Sequence, residues 1–140
     1  MDPAETARRC AEVMYAADPA SRQLGIEISE VAPGSAAASM TVRADMANGH
    51  GMCHGGYVFT LADTAFAFAC NTYDERTVAA GADVSFVEPV QVGERLTARA
   101  TQRHRRGRSG LYDVTVSRTD GTVVAEFRGR SRSLGKPLLG

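Results

Sequence analysis

Between Tyr57 and Asn71 the chain reads YVFTLADTAFAFACN, alanine-rich and apolar on nearly every side. A helix that is hydrophobic all round is a buried helix, so the rest of the chain must supply a surface that surrounds it. The segments C-terminal to it are strand-like: Thr77 to Val87, Arg95 to Arg103, Leu111 to Arg118 and Val123 to Ser131, separated by turn signals at Pro89, Gly93, Gly107, Gly110 and Asp120-Gly121. Upstream, Leu24, Ile26 and Ile28 alternate with Gly25 and Glu27, and Pro33-Gly34 marks a turn before Ala36 to Val42, which reads as two antiparallel strands. Ala7, Cys10, Ala11, Met14 and Tyr15 fall near helical spacing, so a short amphipathic N-terminal helix is expected over about residues 3–17, stopping at Asp18 and Pro19. An antiparallel sheet of about five to six strands, wrapped round a long central helix over about residues 55–73, buries that helix most simply and gives an α+β fold.

The 140 residues suit one domain spanning 1–140, with no internal repeat or long linker. No apolar run approaches the roughly 20 residues that cross a bilayer, and residues 1–9 lead into no apolar signal core. The chain is therefore read as cytoplasmic, without a membrane partner. Sixteen basic and sixteen acidic residues cancel, which removes the global electrostatic case for nucleic acid. Cys10, Cys53 and Cys70 are odd in number and share no spacing, as expected of reduced packing thiols.

Asp63 is the informative residue of the central segment. An acid among apolar neighbours is costly to bury unless something compensates it, and its helical neighbours Phe59, Thr60, Phe66 and Ala67 include no cation. Desolvation raises such a carboxyl's pKa toward the range useful to a base; a structural acid bonded to a loop or a second subunit is the alternative. In front of it lies NGHGMCHGG, Asn48 to Gly56, a glycine-rich loop that places Gly55 and Gly56 where a helix begins and its first amides lack partners. Such a start can hold a developing oxyanion. Gly55 and Asp63 are separated by roughly 12 Å along a helix axis, so they cannot touch one carbonyl within one chain. If they share a site, two subunits with antiparallel helices must build it.

Other clusters have two readings each. His50, Cys53 and His54 match no common zinc spacing, and no metal is expected. Cys53 beside His54 lacks an orienting partner for a nucleophile and reads as packing. The run QRHRRGR, Gln102 to Arg108, is either a solvated hairpin face or a phosphate clamp through Arg106 and Arg108. Arg130 and Arg132 have the same two readings, and Phe59, Phe66 and Phe68 are either core or the walls of an aryl pocket.

Asn48-Gly49-His50, Cys53-His54-Gly55-Gly56, Leu61-Ala62-Asp63-Thr64-Ala65-Phe66-Ala67 and Ala69-Cys70-Asn71 together closely resemble the PaaI-type thioesterases of phenylacetic acid degradation. Val84 to Pro89, Gly110 to Val114 and Phe127 to Ser131 extend the likeness over nearly the whole chain. The resemblance implies a hot-dog fold, dimers that pair into a homotetramer, and hydrolysis of acyl-CoA thioesters, commonly phenylacetyl-CoA and its ring-hydroxylated derivatives. No cofactor is expected, since the CoA thioester is the substrate. By position Asp63 matches the catalytic carboxylate, which activates water as a general base or attacks the thioester directly as a nucleophile, Gly55 the oxyanion-binding amide, Asn48 a polar group orienting water or substrate, and His54 the motif histidine. Gly56, Ser85 and Phe86 are expected substrate contacts, with Arg106, Arg108 and Arg130 toward CoA. The alternatives are a hot-dog module that binds acyl-CoA without hydrolysing it, and a thioesterase preferring fatty acyl-CoA.

Overall fold

The structure is a computed structural model describing all residues 1–140. Two helices, α1 (Pro3–Ala16) and α2 (Pro19–Gln23), precede β1 (Glu27–Ala32) and β2 (Ser35–Thr41). A short 3₁₀ turn, Ala44–Met46, and the glycine loop lead into α3 (Gly55–Cys70). After it come β3 (Thr77–Phe86), β4 (Arg95–Arg106), β5 (Ser109–Arg118) and β6 (Val123–Ser133). The six strands form one sheet in the order β1-β2-β4-β5-β6-β3, every neighbouring pair antiparallel.

The sheet curls round α3 as the apolar segment requires. Leu61, Ala62, Ala65, Phe66, Phe68 and Ala69 of the helix are buried against Ala36, Ala38, Met40, Leu96, Ala98, Tyr112 and Val114 of the strands. Small residues on the sheet let the helix lie close. At Gly129 of β6 a Cβ would stand 2.7 Å from the Phe66 ring, so the absence of a side chain there is what admits the phenyl group. Phe66 also meets Tyr112 and Phe127, with ring centroids 5.7 and 5.8 Å away.

Element ends differ from the sequence pattern where polar side chains decide them. The central helix stops at Cys70 instead of near residue 73. Asn71 Nδ2 donates to the carbonyls of Ala67 and Thr77, and the Thr72 hydroxyl donates to the carbonyl of Ala69, so side chains satisfy carbonyls left open at the helix end. Pro19 does not merely end the first helix; it opens α2 as its first residue, with the Asp18 carboxylate capping Ser21 N–H at 3.0 Å. Leu24 closes α2 and Gly25 takes φ +71°, so β1 starts at Glu27 and not at Leu24. The arginine run through Arg106 is strand, and only Gly107 and Arg108 lie between β4 and β5.

The two sheet edges are unlike. The edge at β1 is packed by α1. The edge at β3 has no neighbouring strand; only Thr77 at its start is held, by the Asn71 side chain, and Val78, Phe86 and the adjacent Val87 are among the exposed large hydrophobics. No helix is long and apolar enough to cross a membrane.

Candidate active site

The glycine loop is held at fixed points before it becomes a helix. Asn48 Oδ1 accepts the backbone N–H groups of His50 (2.9 Å) and Met52 (3.2 Å), while Cys53 N–H donates to the Val90 carbonyl and His54 N–H to the Met46 carbonyl. With its oxygen so occupied, Asn48 has its side-chain Nδ2 amide left to donate outward. His54 is the N-cap of α3: its Nδ1 accepts Gly56 N–H at 3.2 Å, and its carbonyl accepts Tyr57 N–H at 3.0 Å. A ring nitrogen that accepts carries no proton, so the neutral imidazole bears its proton on Nε2.

These contacts occupy the amides of Gly56 and Tyr57 and leave that of Gly55 without a partner. Gly55 is the first residue of the helix, where an N–H has no carbonyl four residues back. It borders an apolar recess of about 180 Å³ that includes Met52, Val58, Phe86, Val90 and Val124. A Cβ on Gly55 would come within 3.1 Å of the Phe86 ring. The helix start therefore offers a single donor, backed by the helix dipole, that a carbonyl oxygen can approach closely.

Asp63 is not enclosed on all sides, which corrects the reading of α3 as uniformly buried. Phe59, Thr60, Asp63 and Ala67 are half-buried and, with exposed Gly56, form a stripe along the helix, while most other positions of α3 are buried. The Asp63 carboxylate makes no hydrogen bond or ion pair. The hydroxyls beside it are committed elsewhere, Thr60 to the Gly56 carbonyl at 2.9 Å and Thr64 to the Thr60 carbonyl at 2.7 Å. With burial unopposed by any donor, the carboxyl is pushed above its usual range. Along α3 the spacing from Gly55 to Asp63 remains roughly 12 Å.

The remaining expected site residues divide. Phe86 lies against Gly55. Ser85, the next residue along β3, lines a shallow depression with Asp83, Asp113, Glu126 and Arg128 on the outer face of the sheet. Arg130 shares that face, ion-paired to Asp83 at 3.3 Å and lying over Gly81. Gly56 keeps its place in the loop, but its amide serves the cap. Arg106 and Arg108 flank the β4–β5 turn, and Arg108 lines a cleft with Cys70 at the C-terminal end of α3, roughly 22 Å along the helix from Gly55. Neither meets the Gly55 amide within one protomer. Arg105, not singled out from the sequence, is held over the Tyr73 ring at 3.9 Å and beside Glu75 at 3.4 Å.

Of the aromatic candidates, Phe66 and Phe68 are core, and Phe59 is half-buried in an edge contact with Phe127. The thiols are buried and free. Burial raises the pKa of Cys10 and of Cys53, and pushes Cys70 up to about 12, which disfavours the reactive thiolate. Met52, Val58, Val90, Val124 and Glu88, which border the recess, carry no motif. Only the placement of Val84 to Pro89 within the recognisable stretch hinted at Glu88.

A helix start with one free amide, and an unpaired acid on the same helix inside a curled antiparallel sheet, define a hot-dog hydrolase. The sequence profile of the thioesterase superfamily matches residues 50–125, and the chain belongs to that family, in its PaaI-like branch. It is 42% identical over 130 residues to the acyl-coenzyme A thioesterase PaaI of Escherichia coli K12, covering 93% of each chain. A putative esterase of Deinococcus radiodurans is 41% identical over 108 residues, covering 76% of this chain and 73% of the other. The solved structure of the E. coli PaaI protein from the phenylacetic acid degradation operon superposes with a TM-score of 0.95 at 40% identity, covering 97% of this chain and 99% of that one. The TT0310 protein of Thermus thermophilus superposes at 0.80 with 38% identity, covering 84% of this chain and 98% of that one. The protein is accordingly an enzyme of the thioester hydrolase class.

Proposed function

We propose that the protein hydrolyses acyl-CoA thioesters of the arylacetyl class, phenylacetyl-CoA and its ring-hydroxylated derivatives, to the free acid and CoA in phenylacetate breakdown. The observation that carries this reading is the pair of uncommitted groups on α3: the unpartnered Gly55 amide and the unpaired Asp63 carboxylate with its raised pKa. The name of the E. coli relative and the operon of its solved structure support the acyl-CoA and phenylacetate parts.

In this reaction Asp63 takes a proton from water as the water oxygen attacks the thioester carbonyl. The Gly55 N–H receives the negative charge that develops on the carbonyl oxygen. Collapse of the tetrahedral intermediate breaks the C–S bond, and the departing CoA thiolate takes up a proton. Asn48 Nδ2 is free to orient the water or the substrate, and His54 holds the helix start that aims Gly55. Since one chain keeps its Gly55 and Asp63 apart, the site pairs the Gly55 of one protomer with Asp63 of a second. The bare β3 edge supports such a dimer, because a long uncovered strand is a template for pairing with another copy.

The test is release of free CoA thiol from phenylacetyl-CoA and from a fatty acyl-CoA series by wild type and Asp63→Asn. The expected outcome is turnover highest with arylacetyl groups and lost in the variant. Near-normal hydrolysis by Asp63→Asn overturns the role of Asp63. No release from any thioester leaves a binding module in place of an enzyme of this specificity.

A further inference from the structure

The glycine loop in front of α3 leans on a segment that has no helix or strand of its own. Between β3 and β4 the chain crosses residues 87–94. Its ends are tied to the sheet: Val87 and Glu88 N–H donate to the Val124 carbonyl, Val42 N–H donates to the Glu94 carbonyl, and Gly93 N–H donates to the Val42 carbonyl. Its middle meets the glycine loop. The Val90 carbonyl accepts Cys53 N–H at 2.7 Å, and Gln91 pairs with Met52 as an isolated antiparallel bridge. Cys53 stands two residues before Gly55, so the place of Val90 is passed to the Gly55 amide through planar peptide units of fixed length.

The middle of that segment is held in turn by Arg118, the last residue of β5. Its guanidinium works in two directions, with Nε pairing to Glu94 Oε2 and Nη2 donating to the Pro89 carbonyl. The other oxygen of Glu94 accepts Gln91 N–H at 2.7 Å. One ion pair thus fastens the chain on both sides of Val90, at residues 89 and 91. Both side chains are only 23% exposed, less than in any other ion pair of the chain, so solvent screens this pair least. The arginine is suited to the task because its rigid fork presents several donors at once, whereas a lysine ammonium is a single point on a flexible stem. Arg118 makes no hydrogen bond or ion pair with Gly55 or Asp63, and the hydrolytic reaction as described gives it no part.

We infer that Arg118 and Glu94 are positioning residues for the oxyanion donor: their clamp on residues 89–91 sets, through Val90 and Cys53, where the Gly55 amide points. The inference rests on the hydrolytic reading for the role of Gly55. A misplacement of about 1 Å, even from a change far from the chemistry, costs on the order of 100-fold in rate. A donor that meets charge developing in the transition state acts on kcat more than on KM. A clamp that only stabilised the β5–β6 end of the sheet would lower stability and leave the kcat of the folded protein unchanged.

The experiment measures kcat and KM for phenylacetyl-CoA, at a temperature where each protein is folded, in wild type, Arg118→Lys and Glu94→Gln. Each change is then repeated on Gly55→Pro, which has no N–H left to aim. Amide hydrogen exchange at Cys53 is followed by NMR in the same proteins without substrate. In Arg118→Lys, kcat is expected to fall by roughly tenfold with KM within about twofold of wild type. Cys53 exchange is expected to speed up by roughly tenfold while the buried amides of β5 keep their rates. Glu94→Gln, which keeps an acceptor for Gln91 N–H but drops the charge, should give a smaller loss of the same kind. On Gly55→Pro neither change should lower kcat much further, because both act through the missing amide. An unchanged kcat in both single variants overturns the inference, as does a loss that repeats in full on Gly55→Pro. If Gly55→Pro alone keeps wild-type kcat, the oxyanion role of Gly55 is refuted, and faster Cys53 exchange in Arg118→Lys still upholds the clamp on the loop.

Discussion

Asp63 is an acid whose ionised form the fold opposes. Its folded-state pKa lies above the unfolded value because burial is not offset by any donor, so the native state binds more protons than the unfolded chain between those two values. Stability therefore falls as pH rises from the ordinary carboxylate range, near 4, through the folded pKa. Asp63→Asn removes that cost, and its Tm is expected to exceed that of wild type near neutral pH, with the difference vanishing at about pH 3 to 4. A variant less stable than wild type at neutral pH contradicts the unpaired state of this carboxylate. The same shift sets the acid limb of activity: kcat for arylacetyl-CoA is expected to fall at a pH above the usual aspartate range as Asp63 becomes protonated. A second test at this scale is Gly55→Pro. Proline is favoured at the first position of a helix, and His54, at φ −62° and ψ 133°, already has the extended conformation that a following proline requires. The variant deletes one N–H with little other change, since the nearby Phe86 ring is 56% exposed and free to give way. Its kcat is expected to drop by about 10²- to 10³-fold. The acid and the glycine were legible in the sequence because each violates its surroundings, one by charge and one by the absence of a side chain.

The interface between α3 and the sheet works through the matching of large and small side chains. Phe66 occupies the space that Gly129 leaves, and adding a methyl group there forces a shift in a closely packed region. Gly129→Ala is expected to destabilise the protein by about 1 to 3 kcal/mol in chemical denaturation, and Phe66→Leu in the same chain to recover part of that loss. Additive losses in the double variant would deny the contact. The cap is the other determinant at this scale. His54→Ala removes the acceptor for Gly56 N–H and is expected to cost about 1 kcal/mol of stability; it should also lower kcat, because the neighbouring Gly55 amide loses its fixed aim. The strands could be read from the sequence because glycine and proline punctuate them. Their ends could not, since a tight hairpin pairing Arg106 with Ser109 extends β4, and Thr77 of the distant β3 extends β6 through Ser133. Nor did periodicity reveal the half-buried stripe on α3, whose members Phe59, Thr60, Asp63 and Ala67 share no common polarity and become a face only when the sheet covers the others.

At the scale of the molecule, if Gly55 and Asp63 act on one thioester as proposed, each protomer holds halves of two different sites. The Gly55 amide and the Asp63 carboxylate are roughly 12 Å apart on a rigid helix, too far to act on one carbonyl, while the uncovered β3 edge offers a surface for a second copy. In a two-fold dimer each site then takes its amide from one chain and its acid from the other. Such an arrangement makes a specific demand on mixtures of damaged subunits. A Gly55→Pro chain keeps its acid and an Asp63→Asn chain keeps its amide. In a heterodimer of the two, one site carries both lesions and the other carries neither. Co-refolding equal amounts, with different tags to count heterodimers, should produce half heterodimers with one intact site each, so activity rises from near zero to about a quarter of wild type. If the heterodimer forms in that proportion and activity stays at the level of the two parents, each site belongs to a single chain, and the helix must bring its acid and amide together in a way that its observed geometry does not allow.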